Sequence, residues 1–143
     1  QIKNIAGVVM IDNHIFSKLE ENEKVLSPGM KYRHYAPISK CILVYSKDND
    51  LLVNKIKELS LQYTRPLILS STENMSYYGN NLVIDIGSRF NLNEIAKNIF
   101  TDLRKVDSFN PDIVIIEGVV QEGIGLAIMN RLIRACEYNY VEV

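Results

Sequence analysis

From Cys41 onward the chain alternates short apolar runs with longer amphipathic stretches, and this alternation narrows the possible folds more than any other feature. Runs of this kind are buried on both faces when helices cover both sides of a parallel sheet. Residues 42–45 read as the first strand. In the stretch that follows, Leu52, Ile56, Leu59 and Tyr63 share one helical face, with Lys55, Lys57, Glu58 and Gln62 opposite. Pro66 is expected to stop that helix, and residues 67–69 give a second strand whose tail, Ser70-Ser71-Thr72, offers hydroxyls to cap the next turn. Residues 82–86 form the third strand. Asn91 with Glu94 opens a second helix in a capping arrangement, and Leu92, Ile95, Ile99, Leu103 and Val106 form its buried stripe. After the turn Asn110-Pro111-Asp112 comes a β-branched fourth strand at 113–116. A last helix is predicted over 125–138, burying Met129, Leu132, Ile133 and Cys136 and exposing Asn130, Arg134 and Glu137. The expectation is a three-layer α/β domain with a mostly parallel sheet over residues 40–143, preceded by an extended linker arm over residues 1–39.

A chain of 143 residues accommodates one such domain with an attached arm. Its net charge of −1 argues against a protein that coats nucleic acid non-specifically, so an anionic partner must be met by a local patch. Cys41 and Cys136 both fall on apolar patterns without a metal-ligand companion, as reduced core cysteines of an intracellular protein would. No apolar run approaches the roughly 20 residues of a membrane span, and Gln1-Ile2-Lys3-Asn4 does not resemble a signal peptide, so a soluble cytoplasmic protein is expected. Beginning on Gln1, the chain reads as a piece of a longer protein.

The local patch lies in the arm. Between Lys24 and Lys47 the chain carries Lys24, Lys31, Arg33, Lys40 and Lys47 with no Asp or Glu. Ser27-Pro28-Gly29 and Ala36-Pro37 bound the most basic part and bias it toward an extended strip. In an extended segment Lys31 and Arg33 point one way while Tyr32 and His34 point the other. Arg33 can fork onto phosphate oxygens, Lys31 can add a point charge, and Tyr35 can hydrogen-bond a phosphate or stack near a base. Such a strip suits a lid or clamp over an anion better than it suits a core.

A second candidate is the loop 117–125, which joins a strand to a helix, where α/β sheets place ligands. Gly118 and Gly123 have P-loop spacing, yet Ile124 and Gly125 stand where its lysine and Ser/Thr belong. The assignment fails on charge, and Glu117 and Glu122 would repel phosphate further. What remains is a tight turn, or a weak anion contact at Gly118, Gly123 and Gly125. His14 reads as a solvated linker residue. His34 has no neighbouring acid to orient it, so no nucleophile–base arrangement and no metal site emerge, and no catalytic residue is assigned.

The segment SPGMKYRHYAP, residues 27–37, resembles the linker motif of the Sua5 family of threonylcarbamoyl-AMP synthases. The segment EGIGLAIMNRL, residues 122–132, is similar to the C-terminal segment of the same family, with Ile124 in place of the more usual leucine. The resemblance covers essentially the whole chain as linker plus C-terminal Sua5 domain, and it implies a small Rossmann-like unit. It further implies a parent enzyme that converts L-threonine, bicarbonate or CO2, and ATP into threonylcarbamoyl-AMP and pyrophosphate for the t6A modification of tRNA. In that family the catalytic pocket belongs to an N-terminal YrdC-like domain outside these residues. The resemblance thus implies a fragment inactive alone and without a tightly bound cofactor, with ATP, as its Mg complex, a substrate of the full-length enzyme. It implies that the linker lies over the pocket mouth, so that Tyr35, Arg33, Lys31 and His34 contact ATP or pyrophosphate while Ser27, Pro28, Gly29 and Pro37 shape the lid. The partners implied are the YrdC-like domain and, indirectly or weakly, tRNA. The residues themselves leave two other readings open: an RNA- or nucleotide-binding module using the basic linker and the glycine loop, and a structural domain that self-associates.

Overall fold

The computed structural model describes Pro37 and residues 39–143. The elements in chain order are β1 (Cys41–Tyr45), α1 (Asn49–Ser60), β2 (Pro66–Ser71), a 3-10 segment (Thr72–Tyr78), β3 (Leu82–Gly87), α2 (Leu92–Val106), β4 (Ile113–Glu117), α3 (Ile124–Ala135) and β5 (Tyr140–Glu142). One sheet has the order β3-β2-β4-β1-β5, and all its pairings are parallel.

Strand order fixes the layers. From β1 to β2 to β3 the chain moves one way across the sheet, and from β3 to β4 to β5 it moves back. Because crossovers are right-handed, the two directions send their connections to opposite faces. On one face Leu52, Ile56 and Tyr78 pack with Val44, Ile68 and Ile115. On the other, Ile99 and Leu103 of α2 and Met129 and Leu132 of α3 cover Leu43, Leu69 and Ile116. Successive strand residues thus alternate between two apolar layers, which is why the strand sequences read as continuous rather than alternating apolar runs. Cys41 and Cys136 are free and buried in the α2/α3 layer. No helix among the described residues is long and apolar enough to cross a membrane.

Three local expectations need correction. The first helix already ends at Ser60, and Pro66 instead opens β2, where a strand's first position tolerates a missing N–H. Asn130 and Arg134 are buried, because α3 packs against α2 as well as the sheet; the Asn130 amide donates to the Leu126 carbonyl at 2.9 Å. The last helix stops at Ala135, three residues early. There the Glu137 N–H donates to the Arg134 carbonyl (2.9 Å) and the Tyr138 N–H to the Ile133 carbonyl (2.8 Å), the paired bonds of a Schellman cap. Glu137 and Tyr138 take φ of 54° and 67° without being glycine, so the sequence carries no stop signal. The turn frees residues 140–142 to pair with β1 as β5, a strand too short to stand out in the sequence.

Glu137 is exposed and occupies the left-handed position that usually holds glycine. Glu137→Gly is expected to raise unfolding stability by about 1 kcal/mol in urea titrations, whereas Glu137→Ala should bring no gain.

Candidate functional site

Parallel sheets place ligand crevices beyond the carboxyl ends of neighbouring strands whose connections leave to opposite faces. Here β2 and β4 are such a pair, and Glu117, the last residue of β4, sits between their ends. Its side chain is 2% exposed. The carboxylate accepts from the Ser71 N–H at 3.2 Å, the Ser71 hydroxyl at 2.5 Å and the Tyr78 hydroxyl at 2.9 Å. The Ser70 hydroxyl lies 3.3 Å from it and 2.8 Å from the Ser71 carbonyl. Each of these donors is neutral. A buried carboxyl group needs such partners to offset its loss of water. Burial, together with the adjacent Glu117 charge, pushes the Tyr78 phenol far above its ordinary range and keeps it a proton donor. The strand-end hydroxyls therefore serve Glu117 rather than capping the next turn, and they tie β2, β4 and the 3-10 segment together; Thr72 donates instead to Asp85 at 2.6 Å.

A second set of contacts spans the crevice. Arg89, in the loop after β3, donates to the side-chain oxygen of Asn49, the first residue of α1. The amides of Asn49 and Asn74 exchange hydrogen bonds of 2.9 and 2.8 Å. The bridge thus links the connections that leave β3, β2 and β1, and β3 and β1 are three strand spacings apart, roughly 14 Å. Glu73 holds the base of the Arg89 loop: it accepts from the Ser88 hydroxyl (2.6 Å) and the Arg89 N–H (2.8 Å). Those bonds, Ser88 foremost, lower the Glu73 carboxyl below its ordinary value.

The glycine loop borders the same crevice, and each of its glycines has a backbone reason. The Gly118 N–H donates to the Val44 carbonyl at 2.7 Å, and a Cβ there would stand 2.9 Å from that oxygen. A Cβ on Gly125 would fall 1.9 Å from the Val120 carbonyl oxygen, and Gly123 has φ of +56°. The N–H groups of Gly125, Leu126 and Ala127 already have carbonyl partners at Glu122 and Gly123. These contacts account for the glycines as a tight turn.

At the opposite, amino end of the sheet the chain enters the domain from a fixed point. The Ser39 N–H and hydroxyl both donate to one oxygen of Asp107, at 3.0 and 2.7 Å, and the Lys40 carbonyl accepts from Val114 at 2.8 Å. Of the lid residues assigned from the sequence, Pro37 is half-buried. Lys31, Arg33, His34 and Tyr35, with Ser27, Pro28 and Gly29, lie outside the described residues. Sequence reasoning missed Asn49, Asn74, Tyr78 and Arg89, whose meeting depends on strand order. It weighed Glu117 only as a charge that repels phosphate, although a Glu that ends a β-branched run beside a Ser-Ser strand tail was a usable signal.

Residues 1–136 match the family described as threonylcarbamoyl-AMP synthase, C-terminal domain. The chain is 34% identical to the threonylcarbamoyl-AMP synthase of Pyrococcus abyssi, over all of this chain and 41% of that protein. Among solved structures, P. abyssi Sua5 complexed with L-threonine superposes with a TM-score of 0.64 at 36% identity, over 80% of this chain and 33% of that one. The C-terminal Sua5 domain from a Pyrococcus horikoshii Sua5 protein gives 0.58 at 32% identity, over 76% of this chain and the whole of that one. The chain thus spans well under half the length of the P. abyssi relative.

Tyr78→Phe removes one of the donors that satisfy Glu117 while keeping the ring in the core. It should lower unfolding stability by about 1–2 kcal/mol in chemical denaturation. A change within error would mean that the Tyr78–Glu117 bond does not hold the crevice.

Proposed function

The chain belongs to the threonylcarbamoyl-AMP synthase C-terminal domain family, and from that premise we propose that it is the accessory region of an L-threonylcarbamoyladenylate synthase, supplying an active-site lid and its anchor. In this reading the catalytic pocket lies in the portion of the enzyme outside this chain. ATP with Mg, L-threonine, and bicarbonate or CO2 meet this chain only at the lid, and tRNA meets it indirectly or weakly. The observation that carries the anchor is the double hydrogen bond from Ser39 to Asp107, next to the Lys40–Val114 bond. A lid is useful only if one end is fixed, and those contacts fix the end of the basic arm where it joins the sheet.

Chemically the lid has two tasks. Lys31, Arg33 and His34 place cations and donors where pyrophosphate charge develops, and Tyr35 supplies a phenol to a phosphate oxygen. Closure also excludes water from a labile carbamate. The separate RNA-binding reading gains no support from the charge balance of the chain, −1 overall.

In the full-length enzyme, replacing Arg33 and Tyr35 together by Ala should lower turnover about tenfold or more, equivalent to losing one charge-assisted contact in the transition state, with the melting temperature unchanged. An unchanged rate would sink the lid. Asp107→Ala releases Ser39 and should raise the apparent KM for ATP while the domain stays folded; normal kinetics would sink the anchor. Pyrophosphate release, dependent on threonine and bicarbonate, should be absent from this fragment alone and stimulated when it is mixed with the remaining portion.

A further inference from the structure

The carboxyl end of the sheet is both acidic and apolar. Past the strand ends it bears Asp48, Asp50, Glu73, Glu94, Glu122 and Glu142, against the cations Lys47 and Arg89. Between these charges the connections expose Leu51 (50%), Phe90 (84%), Val120 (44%) and Ile124 (46%). Three contacts bring these connections together. The Arg89–Asn49 contact joins the loop after β3 to the start of α1. Gly125 lies against both the Val120 carbonyl and a Leu92 methyl, so the β4–α3 loop adjoins the start of α2 beside Phe90. Glu142 pairs with Tyr45 in the sheet, and the Val143 N–H donates to the Tyr45 carbonyl at 3.0 Å, so Glu142 stands at the end of β1.

We propose that this face is the docking surface for a basic surface on the ATP-handling portion of the same enzyme. The proposal rests on the function proposed above and names where the two portions meet. Charge selects the occupant: a polyanion such as tRNA or free nucleotide is repelled by this face, whereas a protein surface built to hold triphosphate and pyrophosphate must itself carry cations. The lengths agree, because more than half of the P. abyssi relative lies outside the region this chain matches. A covalent tether gives that portion an effective concentration in the millimolar range, so a modest acidic and apolar contact is enough to hold it. Phe90, projecting from the rim, is the natural apolar anchor of such a contact.

The test is zero-length carbodiimide cross-linking of the full-length enzyme, mapped by mass spectrometry. Cross-links from Asp50, Glu122 or Glu142 to lysines outside this chain are expected. They should be lost in 1 M NaCl, where the screening length is about 3 Å, and lost in Phe90→Asp, which should keep its melting temperature because the ring is exposed. Cross-links only between isotopically distinct copies would replace the proposal with self-association, and acidic peptides that stay unlinked while other carboxylates react would overturn it. Pyrophosphate release from the same samples separates the two ideas. Docking with no kinetic effect of Phe90→Asp leaves the interface standing without an anchoring role. A turnover that depends on Arg33 and Tyr35 without these cross-links leaves the lid standing and removes the interface.

Discussion

A strand buried on both faces has nowhere to put a polar side chain except at its ends. In this domain β2 and β4 carry apolar residues toward both helical layers, and their first charged or hydroxyl-bearing side chains come at Ser70, Ser71 and Glu117. The constraint concentrates the chemistry of the fold at the two ends of the sheet. It also explains why Glu117 needs several donors: the crevice floor is continuous with the core, and a carboxyl group there is removed from water as completely as any leucine. Satisfying it requires that β2, β4 and the 3-10 segment end in register, so one side chain couples three elements.

The two ends are built differently. At the amino end, side chains hold backbone groups: Asp107 takes both donors of Ser39, Asp112 accepts from the Thr64 and Arg65 N–H groups, and Arg65 donates to the carbonyls of Phe109 and Asn110. At the carboxyl end, side chains distant in sequence bridge the crevice, with Asn49 from the start of α1, Asn74 from the 3-10 segment and Arg89 from the loop after β3.

Much of the core was legible because it follows periodicity. The stripes Leu52-Ile56-Leu59 and Ile95-Ile99-Leu103 are buried as their helical spacing requires, and the run 113–116 is buried on both faces. The failures share a cause. Nothing local marks Glu137 and Tyr138 as left-handed, since their conformation is imposed by the turn that delivers β5 to β1. Asn130 and Arg134 look like an outer helix face until α2 covers it. The bridge from Arg89 to Asn49 joins residues 40 apart in sequence and exists only because the strand order is β3-β2-β4-β1, which no single-sequence pattern encodes.

The separation of the ends has a physical consequence for the electrostatics of the chain entry. Five residues of β1, roughly 16 Å of strand, run between the Ser39 attachment and the acidic carboxyl face. A basic arm leaving the amino end therefore starts well beyond a Debye length from those carboxylates at physiological salt, about 8 Å, so the domain's own acids do not compete strongly for its cations near the point of exit. Were the attachment at the carboxyl end, Glu122 and Glu142 would stand beside the first lysines of the arm and hold it at home. Because all the strands run parallel, the start of β1 and the carboxyl ends of all strands lie at opposite ends of the sheet. The topology thus separates the Ser39 attachment from the acidic carboxyl face without any dedicated contact.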